Sequence, residues 1–233
     1  MKAVLLAAGL GTRLKPITDH TPKCLVPING KPLLGYWLET LVKLGVTNIL
    51  INIHYLPEQV KEFIKQSPYK SYITTVEEIE LLGTAGTLVN NRSFWQEKTT
   101  LIIHADNFCC SDLTSMVKQH SNRQAETDAT LLLFKTEQPK RCGVVKVDEN
   151  KIIREFHEKV DNPPSNLASG ALFIFSPNVY QKYFKHLKAK KHYELSIDVI
   201  PTMVGKLQGW LVDDFYIDIG SPETLKKANN IFK

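Results

Sequence analysis

Short aliphatic and β-branched runs alternate along the chain with longer stretches whose apolar positions recur every three or four residues. Residues 2–8 (KAVLLAA), 47–53 (TNILINI), 71–77 (SYITTVE), 100–105 (TLIIHA), 129–134 (ATLLLF), 143–147 (GVVKV), 151–156 (KIIREF) and 168–175 (ASGALFIF) have the length and composition of strands. Between them, 33–44, 57–66, 112–120, 177–186, 195–204 and 221–232 carry helical spacing or caps. Ser221, Pro222 and Glu223 form the sharpest start signal: an N-cap, a proline at the first helical position and an acidic first turn. This alternation predicts a mainly parallel sheet covered on both faces, with right-handed crossovers. More consecutive strands and proline-containing loops follow in the second half, where a smaller antiparallel subregion is expected. Without a linker or a repeat, one domain over residues 1–233 is the economical expectation.

Composition narrows the function classes. A chain of 233 residues with 43% apolar content can bury a sizeable core. Its longest apolar run is about eight residues, against roughly 20 for a membrane span, and no basic-then-apolar leader opens it, so a cytoplasmic protein with no membrane partner is expected. Cys24, Cys109, Cys110 and Cys142 have neither disulfide-framework nor C-x-x-C spacing and read as idle thiols; zinc shared by His104, Cys109 and Cys110 is disfavoured, because adjacent cysteines share one tetrahedral ion poorly. The net charge of +5 is mild and scattered, which suits a small anionic ligand better than nucleic acid. The densest basic patch, Lys185 to His192, has no interleaved aromatics and reads as a solvated helix end.

The first predicted strand runs into Val4-Leu-Leu-Ala-Ala-Gly-Leu-Gly-Thr-Arg-Leu-Lys-Pro16. In parallel sheets ligands bind beyond the carboxyl ends of strands. The loop lacks Walker spacing, and Leu14 stands where a dinucleotide fingerprint needs its third glycine. A glycine turn without a ligand remains an alternative, but Thr12, Arg13 and Lys15 load it with donors and charge, as phosphate binding requires. Downstream, Lys23 lies between Pro22 and Pro27, on what reads as a rigid, non-helical, solvent-facing strut for one point charge.

These segments, with LLGTAGTL (81–88), IHADN (103–107), CGVV (142–145), FHEKV (156–160), ASGALFIF (168–175) and YIDIGSPETL (216–225), resemble in content and order the sugar-1-phosphate nucleotidylyltransferases. The resemblance covers nearly the whole chain and implies a nucleotide-binding part roughly over 1–110 and a sugar-phosphate-binding part roughly over 111–233. It implies a Rossmann-like three-layer α/β/α fold, with a mixed, mainly parallel central sheet and a small antiparallel subregion. It also implies an enzyme that joins a nucleoside triphosphate and a sugar 1-phosphate with Mg2+, releasing pyrophosphate. Arg13, Lys23, Asp106 and Asp218 would be catalytic, the two aspartates as metal ligands. Leu6, Ala8, Gly9, Gly11, Thr12, Arg13, Lys23, Glu78, Gly83, Thr84 and Gly86 would bind the nucleotide. Gly143, Glu158, Lys159, Asn166 and Gly170 would bind the sugar phosphate, although from the residues alone a surface ion pair is the better explanation of Glu158 and Lys159.

A carboxylate at position 78 can accept from guanine N1–H and N2–H2, which favours GTP, with mannose 1-phosphate as the sugar donor. UTP, CTP or dTTP with another hexose 1-phosphate remains open, as do roles for Asn107 and Glu80. Two rivals stand beside this reading: a cytidylyltransferase acting on a phosphorylated alcohol such as phosphocholine, and a catalytically silent regulatory relative that binds nucleotide sugars. No C-terminal β-helix domain is expected, and the protein would be a monomer or homodimer.

Overall fold

In a computed structural model the described residues are 1–212 and 214–231. In chain order the strands are β1 (Lys2–Leu6), β2 (Pro27–Ile28), β3 (Lys31–Pro32), β4 (Ile49–Ile53), β5 (Ile73–Glu77), β6 (Thr100–His104), β7 (Asn107–Cys109), β8 (Ala129–Lys135), β9 (Gly143–Val147), β10 (Ile153–Glu158), β11 (Leu167–Phe175), β12 (Leu207–Leu211) and β13 (Tyr216–Asp218). The α-helices are α1 (Leu33–Lys43), α2 (Pro57–Gln66), α3 (Gly83–Asn90), α4 (Arg92–Trp95), α5 (Thr114–Ser121) and α6 (Pro222–Asn230). They form two compact units, one of residues 1–81, 103–112 and 214–233, the other of 82–102 and 113–213.

In the first unit β1, β4 and β5 pair in parallel, with Leu6 opposite Asn52 and Asn52 opposite Val76. Every residue of β4 is buried, as expected where a parallel strand is covered on both faces. The apolar stripe Leu33, Leu34, Trp37, Leu38 and Leu41 turns α1 toward the core. The predicted N-cap at Ser221 holds: its side chain accepts from the Thr224 amide, and the Thr224 hydroxyl accepts from the Ser221 amide. The helix expected there over 221–232 runs from Pro222 to Asn230, and Phe232 lies outside the described residues.

In the second unit β11 lies antiparallel to β8 and β9, and β9 to β10, while β12 runs parallel to β8. The mixed, mainly parallel sheet with helices on both sides and small antiparallel regions therefore stands. Two predicted α-helices need correction. Residues 177–186 wind as a π-helical turn at Tyr180–Phe184, and 195–204 as a π turn, Leu195–Val199, followed by a 3-10 turn, Ile200–Met203. The wider first turn lets Tyr180 and Phe184 both pack on Trp95, at 5.7 and 5.2 Å between ring centroids.

His120 is buried in this unit; its Nδ1 pairs with the Thr130 hydroxyl at 2.9 Å and its Nε2 lies 3.5 Å from that of Ser176. Burial, helped by the nearby Arg123 charge, pushes its pKa down from 6.5 to about 4. The folded state thus resists a proton that the unfolded chain takes up below pH 6.5, so stability should fall as pH drops from 6.5 to 4 by as much as about 3 kcal/mol. Urea midpoints at pH 7 and 4.5 test this, and the His120→Gln protein should lose that part of the pH dependence.

Candidate functional site

The strand β1 ends at Leu6, and Ala7 to Gly11 continue without regular structure into a single 3-10 turn, Thr12–Leu14. Gly9, Leu10 and Thr12 are exposed while Leu6 and Ala8 are buried, so the chain passes from core to surface at the strand's carboxyl end. Gly11 has φ +66°, and a Cβ there would come within 2.8 Å of Thr18 Cγ2. The Thr18 hydroxyl instead donates to the Gly11 carbonyl at 2.7 Å, which fastens the loop from below. Leu14, where a dinucleotide motif would have glycine, is a fully buried anchor. The loop is thus pinned at both ends and open between them, with the Arg13 side chain 70% exposed above it.

Lys23 departs from its expected setting. It opens a 3-10 turn, Lys23–Leu25, behind Pro22, and it is 7% exposed, neither on a non-helical strut nor facing solvent. Its Nζ lies 2.5 Å from Asp106 Oδ2 and 3.4 Å from Asp218 Oδ1. Asp218 Oδ2 faces the Arg13 guanidinium at 3.5 Å. Two short strands produce this meeting: β7 and β13 pair antiparallel with Asp218 opposite Asn107, and the Ile219 amide donates to the Asp106 carbonyl at 2.9 Å. Asn107 is buried, its carbonyl accepting from the Trp37 indole at 2.8 Å and its side-chain amide donating to the His104 carbonyl at 3.3 Å.

Burial works against charge on both Lys23 and Asp106, but their attraction outweighs it. The ammonium, with His104 behind it, holds the Asp106 carboxyl below its usual value, and the two carboxylates raise the Lys23 pKa. Asp106 and Asp218, which meet at the Lys23 ammonium, offer hard carboxylate oxygens of the kind used by a cation that takes few protein ligands and keeps its waters. Mg2+ fits this donor set. By contrast Cys24 is buried, its thiol pushed up to about 12, and would stay protonated near neutral pH.

Glu78 follows β5 in the same unit and is buried, its Oε1 accepting from Asn52 Nδ2 at 3.0 Å. Glu80 and Ile79 beside it are exposed. Sequence reasoning passed over Asn52; its signal is a single amide inside an otherwise aliphatic run, ILINI.

In the second unit, Gly83 has φ +71° and opens α3, and the space a Cβ would need is taken by the Tyr193 carbonyl. The Ala85 and Gly86 amides donate to that carbonyl at 2.9 and 3.1 Å. Thr84 gives its hydroxyl to Glu194 Oε2 at 2.6 Å and its amide to the same oxygen at 3.2 Å. The donors at the start of α3 are therefore spent within the chain, which argues against a phosphate seat there. Glu194 and Tyr193 are a second omission of the sequence reading, lying just beyond a basic patch that hid them.

Gly143 stands opposite Glu158 in the β9–β10 pairing, and a Cβ there would lie 2.6 Å from Glu158 Oε2. The glycine lets that carboxylate cross the strand. Lys159 Nζ meets Glu158 Oε1 at 3.1 Å, so the ion pair exists; Lys159 is 65% exposed and Glu158 only 24%. Gly170 is buried where the register of β11 shifts between Ser169 and Phe173, and Asn166 is exposed, its carbonyl accepting from the Thr136 amide at 2.9 Å.

The sequence profile described as nucleotidyl transferase matches residues 2–233. The chain belongs to that family. Members of the nucleotidyl transferase family with curated names include a mannose-1-phosphate guanylyltransferase catalytic subunit beta of Drosophila melanogaster, 31% identical over 228 residues, 95% of this chain and 60% of the relative. A low-salt glycan biosynthesis nucleotidyltransferase of Haloferax volcanii is 30% identical over 99% of this chain and 66% of its own. The chain spans about 60% of the length of several of the curated relatives it matches. Among solved structures, HddC from Yersinia pseudotuberculosis complexed with GMP-PN superposes with a TM-score of 0.78 at 26% identity, covering 100% of this chain and 99% of that one. A protein of Bacillus anthracis provisionally named a glucose-1-phosphate thymidylyltransferase reaches 0.86 at 25% identity, covering 99% and 94%. The fold of this nucleotidyl transferase family member is accordingly Rossmann-like. Among the described residues, no helix is long and apolar enough to cross a membrane.

Proposed function

We propose that this chain transfers a nucleotidyl group from GTP to mannose 1-phosphate with Mg2+, giving GDP-mannose and pyrophosphate. The observation that carries the reading is the grouping of Lys23, Asp106, Asp218 and Arg13 within the unit that holds the open glycine loop. The names of several relatives as mannose-1-phosphate guanylyltransferases support the choice of substrates.

An oxygen of the sugar phosphate attacks the α-phosphorus, and the bond from that phosphorus to the oxygen bridging the β-phosphate breaks, its electron pair leaving with pyrophosphate. The attacker is already largely ionised near neutral pH, its second pKa being about 6, so no protein base is required. What the protein must supply is alignment and positive charge. The amides of Gly9 to Thr12 and the exposed Arg13 receive the triphosphate and the departing pyrophosphate, and Lys23 offers its charge beside the reacting phosphates. Asp106 and Asp218 would hold Mg2+, which supplies charge neutralisation on the phosphate oxygens. Glu158 takes sugar hydroxyls and Lys159 the sugar phosphate, with Gly143, Asn166 and Gly170 beside them.

Pyrophosphate release measured across GTP, ATP, UTP, CTP and dTTP with mannose 1-phosphate, glucose 1-phosphate and phosphocholine should show fastest turnover for GTP with mannose 1-phosphate, dependent on Mg2+. A preference for CTP with phosphocholine would transfer the assignment to the cytidylyltransferase reading. Nucleotide binding without turnover on any sugar phosphate would support the silent relative.

A further inference from the structure

Asn52 is a polar residue in the middle of a buried aliphatic strand, 3% exposed, and both ends of its amide are used outside that strand. Its Oδ1 accepts from the Ala7 amide at 2.8 Å, where β1 opens into the glycine loop. Its Nδ2 donates to Glu78 Oε1 at 3.0 Å, where β5 ends. The backbone N–H of Ala7 can only donate, so the amide cannot be the other way round, and the Glu78 oxygen that meets it must be an acceptor. The Glu78 backbone is held as well: its amide donates to the Ile53 carbonyl at 2.9 Å, and its carbonyl pairs with His54 Nδ1 at 2.7 Å.

Such an arrangement sets the polarity of whatever Glu78 presents. A carboxylate offers acceptors only, and each oxygen can take two hydrogen bonds, so Oε1 can serve Asn52 and a ligand together. Among the Watson–Crick edges only guanine has two adjacent donors, N1–H and N2–H2. Uracil has one donor between two carbonyls, and adenine and cytosine each place an acceptor beside a donor. We propose that Asn52 is a positioning residue that sets base specificity, orienting the Glu78 carboxylate as a two-acceptor face and tying it to the phosphate loop. The proposal rests on the reading that Glu78 meets the nucleobase.

The test compares Asn52→Asp, which keeps an oxygen for Ala7 but sets an acceptor against Glu78, with Asn52→Ser, whose hydroxyl is too short to bridge the two. Pyrophosphate release is measured with GTP and with UTP, alongside inhibition by inorganic pyrophosphate, which reports the phosphate end alone. Both variants should lose at least about tenfold of the GTP-to-UTP ratio in kcat/KM, mainly through a higher KM for GTP. In the Asp variant, inhibition by pyrophosphate should change less than about threefold. A folded variant of either kind that keeps the wild-type ratio overturns the proposal. So does a parallel loss of GTP and pyrophosphate binding in the Asp variant with the ratio intact, which would make Asn52 a support of the loop only. Glu78→Ala separates the two layers: if it retains the ratio, the base reading itself fails and the Asn52 proposal falls with it.

Discussion

Asp106→Asn and Asp218→Asn should each lower pyrophosphate release by about a hundredfold or more at saturating substrates, with little change in fold. Asparagine keeps the shape and one acceptor oxygen of each side chain but removes a charge. At Asp106 that charge faces the Lys23 ammonium, and at Asp218 it lies between Lys23 and Arg13. On the proposed reading the loss can act in two ways: one fewer anionic oxygen for Mg2+, or a weaker hold on the Lys23 and Arg13 cations. Raising Mg2+ separates them. If the carboxylates serve the metal, the variants should need about tenfold more Mg2+ for half-maximal rate. If they only position Lys23 and Arg13, the Mg2+ dependence should stay at the wild-type value while the rate stays low. Unchanged turnover in both variants would end the metal assignment.

Much of the fold is legible in the sequence, and the gaps have physical reasons. The continuous aliphatic runs of β1, β4 and β8 announce buried strands because burial on both faces removes the need for alternation. The loop of Gly11 and Arg13 is legible because glycines followed by charge end the aliphatic run of β1. The meeting of Asp106 with Asp218 was not derivable from pattern, since it depends on two three-residue strands too short to show any periodicity. The helix α3 escaped notice because Gly83 and Gly86 lower helix propensity; the space that both glycines leave is filled by backbone of Lys191 to Tyr193. The strand β12 was missed for a similar reason, with Gln208 and Gly209 interrupting its apolar run. Glycines were thus easy to find and hard to interpret: Gly143 makes room for a carboxylate, Gly83 and Gly86 for a neighbouring chain segment, and Gly11 for a threonine.

Lys23→Met should depress turnover by more than tenfold and also destabilise the protein, and the second effect is where burial overrides the sequence-based expectation. A solvent-facing lysine would be nearly silent in folding. This one is 7% exposed and shared by two carboxylates, so its removal leaves Asp106 and Asp218 facing each other without the intervening charge. Breaking a fully buried pair costs about 3–5 kcal/mol. Here both partners retain solvent access, with side chains 37% and 48% exposed, and water recovers part of that cost, so a loss on the order of 2 kcal/mol is expected at pH 7. The sign of the pH dependence follows from Asp106. Its carboxyl is held below the usual value by the ammonium in the folded wild type, so that contribution is present above about pH 4 and fades as pH falls through the folded value. The stability gap between wild type and variant should accordingly narrow in acid. Adding Asp106→Asn to Lys23→Met should recover stability at pH 7, because it removes one of the two opposed charges, while turnover stays low. Full stability of Lys23→Met at pH 7 would place the ammonium outside the ionic network, and a variant that is destabilised yet turns over normally would leave Lys23 a purely structural residue.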